Sequence, residues 1–137
     1  MPSSNSNSDG VHPSDETPNV PAIDMRAISR VAENCPGEEF ITNIIEVFLA
    51  DMSERVSAAG LQMSQDDGAG LAATAHALKG GCGHFGAVQL MQLCGAIEDQ
   101  VRKQQPDGIH AAVNSMIAEA QRVRDALIAF RSKQAAL

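Results

Sequence analysis

The C-terminal part of the chain carries its most constraining pattern, an apolar residue at every third or fourth position from residue 109 to residue 130. This spacing places one continuous apolar stripe along an α-helix, as in helices that pack side by side. The stripe consists of Ile109, Val113, Met116, Ala120, Val123, Leu127 and Phe130. A long helix of this kind must bury its stripe against other helices, so the pattern predicts a helical bundle.

Further helices are predicted upstream, because apolar residues at helical spacing are separated there by breaks rich in Pro, Gly and Asp. These helices span about residues 22–33, 36–63, 69–84 and 87–103. Short connections between long helices favour antiparallel neighbours. The predicted fold is therefore all-α, an antiparallel up-down-up-down four-helix bundle with a short additional N-terminal helix, over residues 21–133.

Composition narrows what such a bundle can do. The net charge is −7, whereas binding to nucleic acid or to an anionic membrane requires a basic surface, so neither partner is expected. No apolar run is long enough for a membrane span, and the three cysteines are widely spaced without a CxxC pair, which favours a cytoplasmic location. Residues 1–20 are rich in Ser, Asn, Pro and Asp and are predicted to be a disordered tail.

The helix predicted over residues 69–84 has two contrasting faces. Its apolar stripe is Leu71, Ala75, Leu78, Cys82 and Phe85, and its opposite face is Ala69, Ala72, Ala73, His76, Lys79, Gly80 and Gly83. A solvated face is ordinarily rich in Glu, Lys, Gln and Arg. Here one imidazole and one ammonium group lie among Ala and Gly, although each glycine costs about 1 kcal/mol of helix stability. This face is predicted to let another macromolecule approach His76 closely.

The two polar residues of that face suit phosphoryl chemistry. A neutral imidazole is a nucleophile near pH 7, and Lys79, one turn after His76, puts a positive charge where phosphoryl oxygens would lie. Each feature alone has an ordinary explanation, as a surface histidine, a solvated lysine or a frayed glycine-rich helix end. Their combination indicates a site that accepts a phosphoryl group.

Residues 76–87 read His-Ala-Leu-Lys-Gly-Gly-Cys-Gly-His-Phe-Gly-Ala. This run resembles the signature of histidine-containing phosphotransfer (HPt) domains, and the resemblance continues on the next helix through Leu90, Leu93, Cys94, Ile97 and Glu98. It implies a phosphoryl carrier of a multistep two-component phosphorelay, without an ATP site of its own. His76 would accept the group from an aspartate of one receiver domain and pass it to an aspartate of another.

The resemblance also implies roles for the neighbours of His76. Lys79 would stabilise the phosphoryl group, Gly80 would leave room for the partner, and Ala72, Ala73 and Gly83 would surround the site. Glu98 and Arg102 stand where some members of the family carry Gln and Arg. Because they are i, i+4 neighbours on one helix, a mutual ion pair is the ordinary structural alternative to such a role.

The implied partners are the receiver domains of hybrid histidine kinases and of response regulators. They would bring Mg²⁺, while this chain would need no cofactor or metal and would be a monomer. Docking would use apolar residues around His76, including part of the first helix. His84 stands where Asn or Ala is common, about 80° around the helix from His76, and is not predicted to be phosphorylated.

Other functions were weighed against this one. A zinc site of His76, Cys82 and His84 is disfavoured, because spacings of six and eight residues do not converge on one helix. Lys79 precedes its glycines, the reverse of a phosphate-binding loop, and no nucleophilic Ser or exposed Cys stands beside His76 for a hydrolase. The alternative left open is a helical-bundle interaction module that binds receiver domains without being phosphorylated.

Overall fold

The computed structural model describes residues 20–34 and 37–136, and in that part of the chain it contains α-helices, one short 3-10 helix and no strand. The helices are α1 (Met25–Glu33), α2 (Glu38–Ser64), α3 (Gly68–Cys82), α4 (Val88–Arg102) and α5 (Pro106–Ala136). The 3-10 turn, Gly83–Phe85, continues α3. All five predicted helices are confirmed, whereas the predicted disordered tail lies almost entirely outside the described residues.

The ends of the helices differ from the predicted ones for local reasons. The first helix begins at Met25, because Asp24 caps it by accepting a hydrogen bond from the backbone N–H of Arg26 at 2.9 Å. The last helix begins at Pro106, ahead of its apolar stripe, where proline suits the first turn of a helix. Asp67 caps α3 by accepting from the backbone N–H of Gly70 at 2.9 Å.

The four long helices pack in chain order, α2 on α3, α3 on α4 and α4 on α5, and α5 closes the bundle against α2. The predicted helical bundle is thus confirmed. Its core includes most of the α5 stripe, in particular Val113, Met116, Val123 and Leu127. The predicted stripe of α3 is equally buried, with Leu71, Ala75, Leu78, Cys82 and Phe85 all at most 2% exposed. The core contacts of this stripe therefore keep the opposite face of α3 turned outward.

The segment before α1 fastens the end of α3 where the 3-10 turn lies. Ala22 and Ile23 are buried, and the backbone N–H of Asp24 donates to the carbonyl of Phe85 at 2.8 Å. Farther back, the Arg122 side chain donates to the carbonyl of Val20 at 2.8 Å, which ties the segment to α5. The turn at the end of α3 is thus held by residues distant in sequence.

Gly86, directly after the 3-10 turn, has a left-handed backbone conformation with φ of 63°. A Cβ atom there would lie 3.0 Å from the backbone nitrogen of Asp24 and 3.1 Å from its Cα. We expect Gly86→Ala to lower the free energy of unfolding by about 2 kcal/mol, from the left-handed conformation and the lost close approach. Urea denaturation monitored by circular dichroism measures this change.

The matched control is Gly60→Ala on α2, where an added Cβ would meet no atom within 4 Å. This change is expected to raise the free energy of unfolding by up to about 1 kcal/mol, because alanine is the better helix former. Equal unfolding free energies for the two variants would contradict the role given to Gly86.

Candidate functional site

The side-by-side packing of α3 and α4 brings three predicted site residues into one cluster. Glu98 of α4 contacts both polar residues of α3, through Oε2 to Nδ1 of His76 at 3.0 Å and through Oε1 to Nζ of Lys79 at 2.6 Å. The His76 side chain is 72% exposed, whereas that of Glu98 is only 25% exposed. The cluster therefore consists of an accessible imidazole ring held from behind by a partly buried carboxylate.

The charge state of Glu98 determines which nitrogen of His76 is free. Its hydrogen bond with Lys79, aided by that with His76, lowers the pKa of the Glu98 carboxyl below its usual value of 4.5. The group is thus a carboxylate at neutral pH, and a carboxylate only accepts hydrogen bonds. The N–H of Nδ1 of His76 must then donate a hydrogen bond to Glu98, which leaves the lone pair of the neutral ring on Nε2.

The ion pair that the i, i+4 spacing of Glu98 and Arg102 suggested is not formed. Arg102 donates instead to Oδ1 of Asp99 at 2.7 Å, because that carboxylate is three residues away, while Glu98 points toward α3. Sequence reasoning did not identify Asp99 as the partner of Arg102, although their i, i+3 spacing on one helix permits this ion pair. These side chains border a shallow, open depression beside the cluster, lined by Lys79, Gln92, Gly95, Ala96, Glu98, Asp99 and Arg102.

The small residues predicted around His76 lie on the outer side of α3. Ala73, Gly80 and Gly83 are exposed, and Ala72 is half-buried. An added Cβ at Gly80 would meet no atom within 4 Å, whereas one at Gly81 would lie 3.0 Å from the ring of Phe48. The packing of the bundle thus accounts for Gly81 but not for Gly80, whose small size leaves open space beside Lys79.

An apolar groove lies beside the end of α3, between α2 and the 3-10 turn. It is lined by Phe40, Asn43, Ile44, Val47, Phe48, Asp51, Gly81, His84 and Phe85. Phe40 is 40% exposed and Val47 is 70% exposed, which is high for large apolar side chains. Sequence reasoning did not identify Phe40 and Val47 as surface residues of a groove. The indication in the sequence was that both are apolar and lie outside the buried stripe of α2. His84 borders this groove, not the cluster of His76 and Glu98.

Two cysteines lie in the core and are closed to solvent. Cys82 and Cys94 are fully buried, and burial raises the pKa of Cys82 to about 11 and that of Cys94 to about 12. Among the described residues there is no group of three or more His, Cys, Asp or Glu side chains placed to hold a metal ion. Nor does that part of the chain include a helix long and apolar enough to cross a membrane.

An all-helical bundle that displays a carboxylate-bound histidine beside a lysine has the features of a histidine phosphotransfer domain. The family model of the Hpt domain matches residues 43–132, so the chain belongs to this family, as the motif at residues 76–87 predicted. Members of the family are phosphoryl carriers in phosphorelays and interact with receiver domains.

A solved structure supports the same assignment. The crystal structure of histidine-containing phosphotransfer protein B (HptB) from Pseudomonas aeruginosa PAO1 matches with a TM-score of 0.77 and 26% sequence identity. The match covers 84% of this chain and 98% of that one, so the shared fold extends over nearly the whole bundle. A comparison with curated proteins finds no match.

The hydrogen bond to Glu98 leads to a prediction about the His76 ring. Long-range ¹H–¹⁵N NMR spectra recorded near pH 8 should show His76 as the tautomer that carries its proton on Nδ1, because only that nitrogen faces the carboxylate. In Glu98→Ala the two tautomers should interconvert, and the pattern should approach that of the exposed His110. A native spectrum with the proton on Nε2 would contradict the assigned geometry.

Proposed function

We propose that this chain accepts a phosphoryl group on Nε2 of His76 from an aspartate of one receiver domain and passes it to an aspartate of a second. The observation that carries the proposal is the contact of Glu98 with Nδ1 of His76 at 3.0 Å. It leaves Nε2 of an exposed ring as the nucleophile. Lys79 lies one turn away to stabilise the negative charge of the incoming group.

The transfer step balances without any further group on this chain. The lone pair of Nε2 attacks phosphorus, the bond from phosphorus to the aspartate oxygen breaks, and the electron pair leaves with the receiver's carboxylate. The proton on Nδ1 stays in place, held by its hydrogen bond to Glu98. The second transfer runs the same step in reverse, so no cofactor is needed here; the Mg²⁺ is expected on the receiver domain.

The receiver domain would dock over the outer side of α3 and the adjoining apolar groove. Exposed apolar side chains are typical of a protein interface, and Phe40 and Val47 supply them on the α2 side of the groove. Open space at Gly80 would let the partner's backbone approach Lys79 and His76. The monomeric state follows as part of the proposal, because a second copy on this face would block the receiver.

Phosphotransfer from a radiolabelled receiver domain tests this function. Label should move onto the native chain, be lost in acid and survive base, as expected for phosphohistidine. His76→Gln should take no label, since it removes the nucleophile, whereas His84→Gln should be labelled like the native chain.

The outcomes separate the competing functions. A chain that binds receiver domains but takes no label from any of a broad panel would be an interaction module, the alternative function. Label that persists on His76→Gln and disappears from His84→Gln would show that His84, and not His76, carries the phosphoryl group.

The open space at Gly80 gives a second prediction. Gly80→Ala should raise the free energy of unfolding by up to about 1 kcal/mol, because alanine is the better helix former and its Cβ meets no atom of the chain. The same change should slow transfer about tenfold, because a methyl group would displace the partner from its aligned position.

The control is Gly60→Ala, which makes the same change on α2 outside the groove. It should stabilise the bundle similarly and leave the transfer rate unchanged. Stopped-flow transfer and urea denaturation measure the two quantities. A native rate for Gly80→Ala would show that the partner does not approach this glycine.

A further inference from the structure

Lys79 already forms an ion pair with Glu98, and this ion pair affects the stability of the phosphorylated chain. Its Nζ lies 2.6 Å from Oε1 of Glu98, and its side chain is only 34% exposed. Lys79 also supplies the ammonium group one turn from His76 that is suited to phosphoryl oxygens. A phosphoryl group on Nε2 and the carboxylate of Glu98 therefore compete for the single positive charge of one ammonium group, although its three N–H groups can donate to both.

The charges around His76 make this competition unfavourable for the phosphorylated state. A phosphoryl group brings between one and two negative charges near pH 7, while the ring that retains its Nδ1 proton gains at most one positive charge. Glu98 therefore faces added net negative charge after transfer.

The other charged groups nearby do not relieve this competition, because their cations are already paired. On α4, Asp99 and Arg102 neutralise each other across 2.7 Å. After Lys79, the next titratable side chain outside the core is His84 of the 3-10 turn, which borders the groove toward α2. On α2, Asp51 at that groove is paired with Arg55 at 2.9 Å. Among the described residues, Lys79 is thus the cation available to a phosphoryl group on His76, and it is already paired with Glu98.

Building on the proposed function, we propose that Glu98 is a positioning residue that opposes retention of the phosphoryl group, so that His76 passes it on rather than storing it. In the release step an aspartate oxygen of the receiver bonds to phosphorus while the bond from phosphorus to Nε2 breaks. The electron pair of that bond returns to Nε2, and the Nδ1 proton does not move. Lys79 then returns fully to Glu98, which favours the unphosphorylated chain.

Glu98→Gln isolates the charge, because the amide oxygen still accepts a hydrogen bond from Nδ1 while the negative charge is lost. The measurement is the equilibrium distribution of label between the chain and a receiver domain phosphorylated with acetyl phosphate in Mg²⁺, after the acetyl phosphate is removed. We expect Glu98→Gln to shift the distribution toward the chain about three- to tenfold, as for one charge at a few ångströms near the surface.

The matched control is Asp99→Asn, which removes one negative charge from the adjacent position of α4. Asp99 is bound to Arg102 and not to the cluster, so this variant should change the distribution less than twofold. Urea denaturation of each variant verifies that the bundle remains folded under the assay conditions.

A double-mutant cycle with Lys79→Gln tests whether the effect acts through the lysine. Without the ammonium group of Lys79, Glu98 and the phosphoryl group no longer compete for its charge. The shift caused by Glu98→Gln should therefore be smaller in that background. An undiminished shift there, an unchanged distribution in Glu98→Gln, or a shift toward the receiver would each overturn the inference. A native chain that takes no label at all would instead overturn the proposed function itself.

Discussion

The packing of α3 against α4 is the constraint on which the site depends. Because Leu71, Ala75 and Leu78 are buried on one side of α3, His76 and Lys79 must lie on the other. The same packing brings Glu98 of α4 within hydrogen-bonding distance of both. Core packing thus holds an exposed histidine in a defined orientation, with one ring nitrogen bound and the other free.

The second element of the site is the turn that ends α3. Its position depends on the segment before α1, through the bond between Asp24 and Phe85 and the close approach of Gly86 to Asp24. Phe85 also packs against Phe48 of α2, with ring centroids 4.8 Å apart. The groove at the end of α3 is therefore lined by α2, Gly81 and the turn, which the segment before α1 holds in place, while the reactive cluster is built by α3 and α4.

Much of this arrangement could be predicted from the sequence, because the relevant signals are local. Helical periodicity identified all five helices and the buried stripe of α3, and the motif from His76 to Ala87 identified the family. The partners of Glu98 could not be predicted in this way. Spacing along one helix suggested Arg102, whereas the partners lie on the neighbouring helix and depend on how α3 and α4 pack. The apolar groove was missed for the same reason, since Phe40 and Val47 join Phe85 only in the folded chain.

The account implies that the chain supplies little chemistry beyond an oriented nucleophile and the charges beside it. In the proposed transfer, Glu98 would fix the ring, Lys79 would meet the phosphoryl oxygens, and open space at Gly80 would admit the partner. In this proposal, whether the phosphoryl group is kept or passed on depends on two ionisable side chains, Glu98 and Lys79. The packing of the bundle sets their distances to each other and to His76.

The most direct test of the central claim is ³¹P and ¹⁵N NMR of the phosphorylated chain, labelled with ¹⁵N in its histidine rings. The account predicts one phosphohistidine signal whose phosphorus couples to Nε2 of His76, with the proton still on Nδ1. Coupling to Nδ1 of His76, or to a ring nitrogen of His84 or His110, would contradict it.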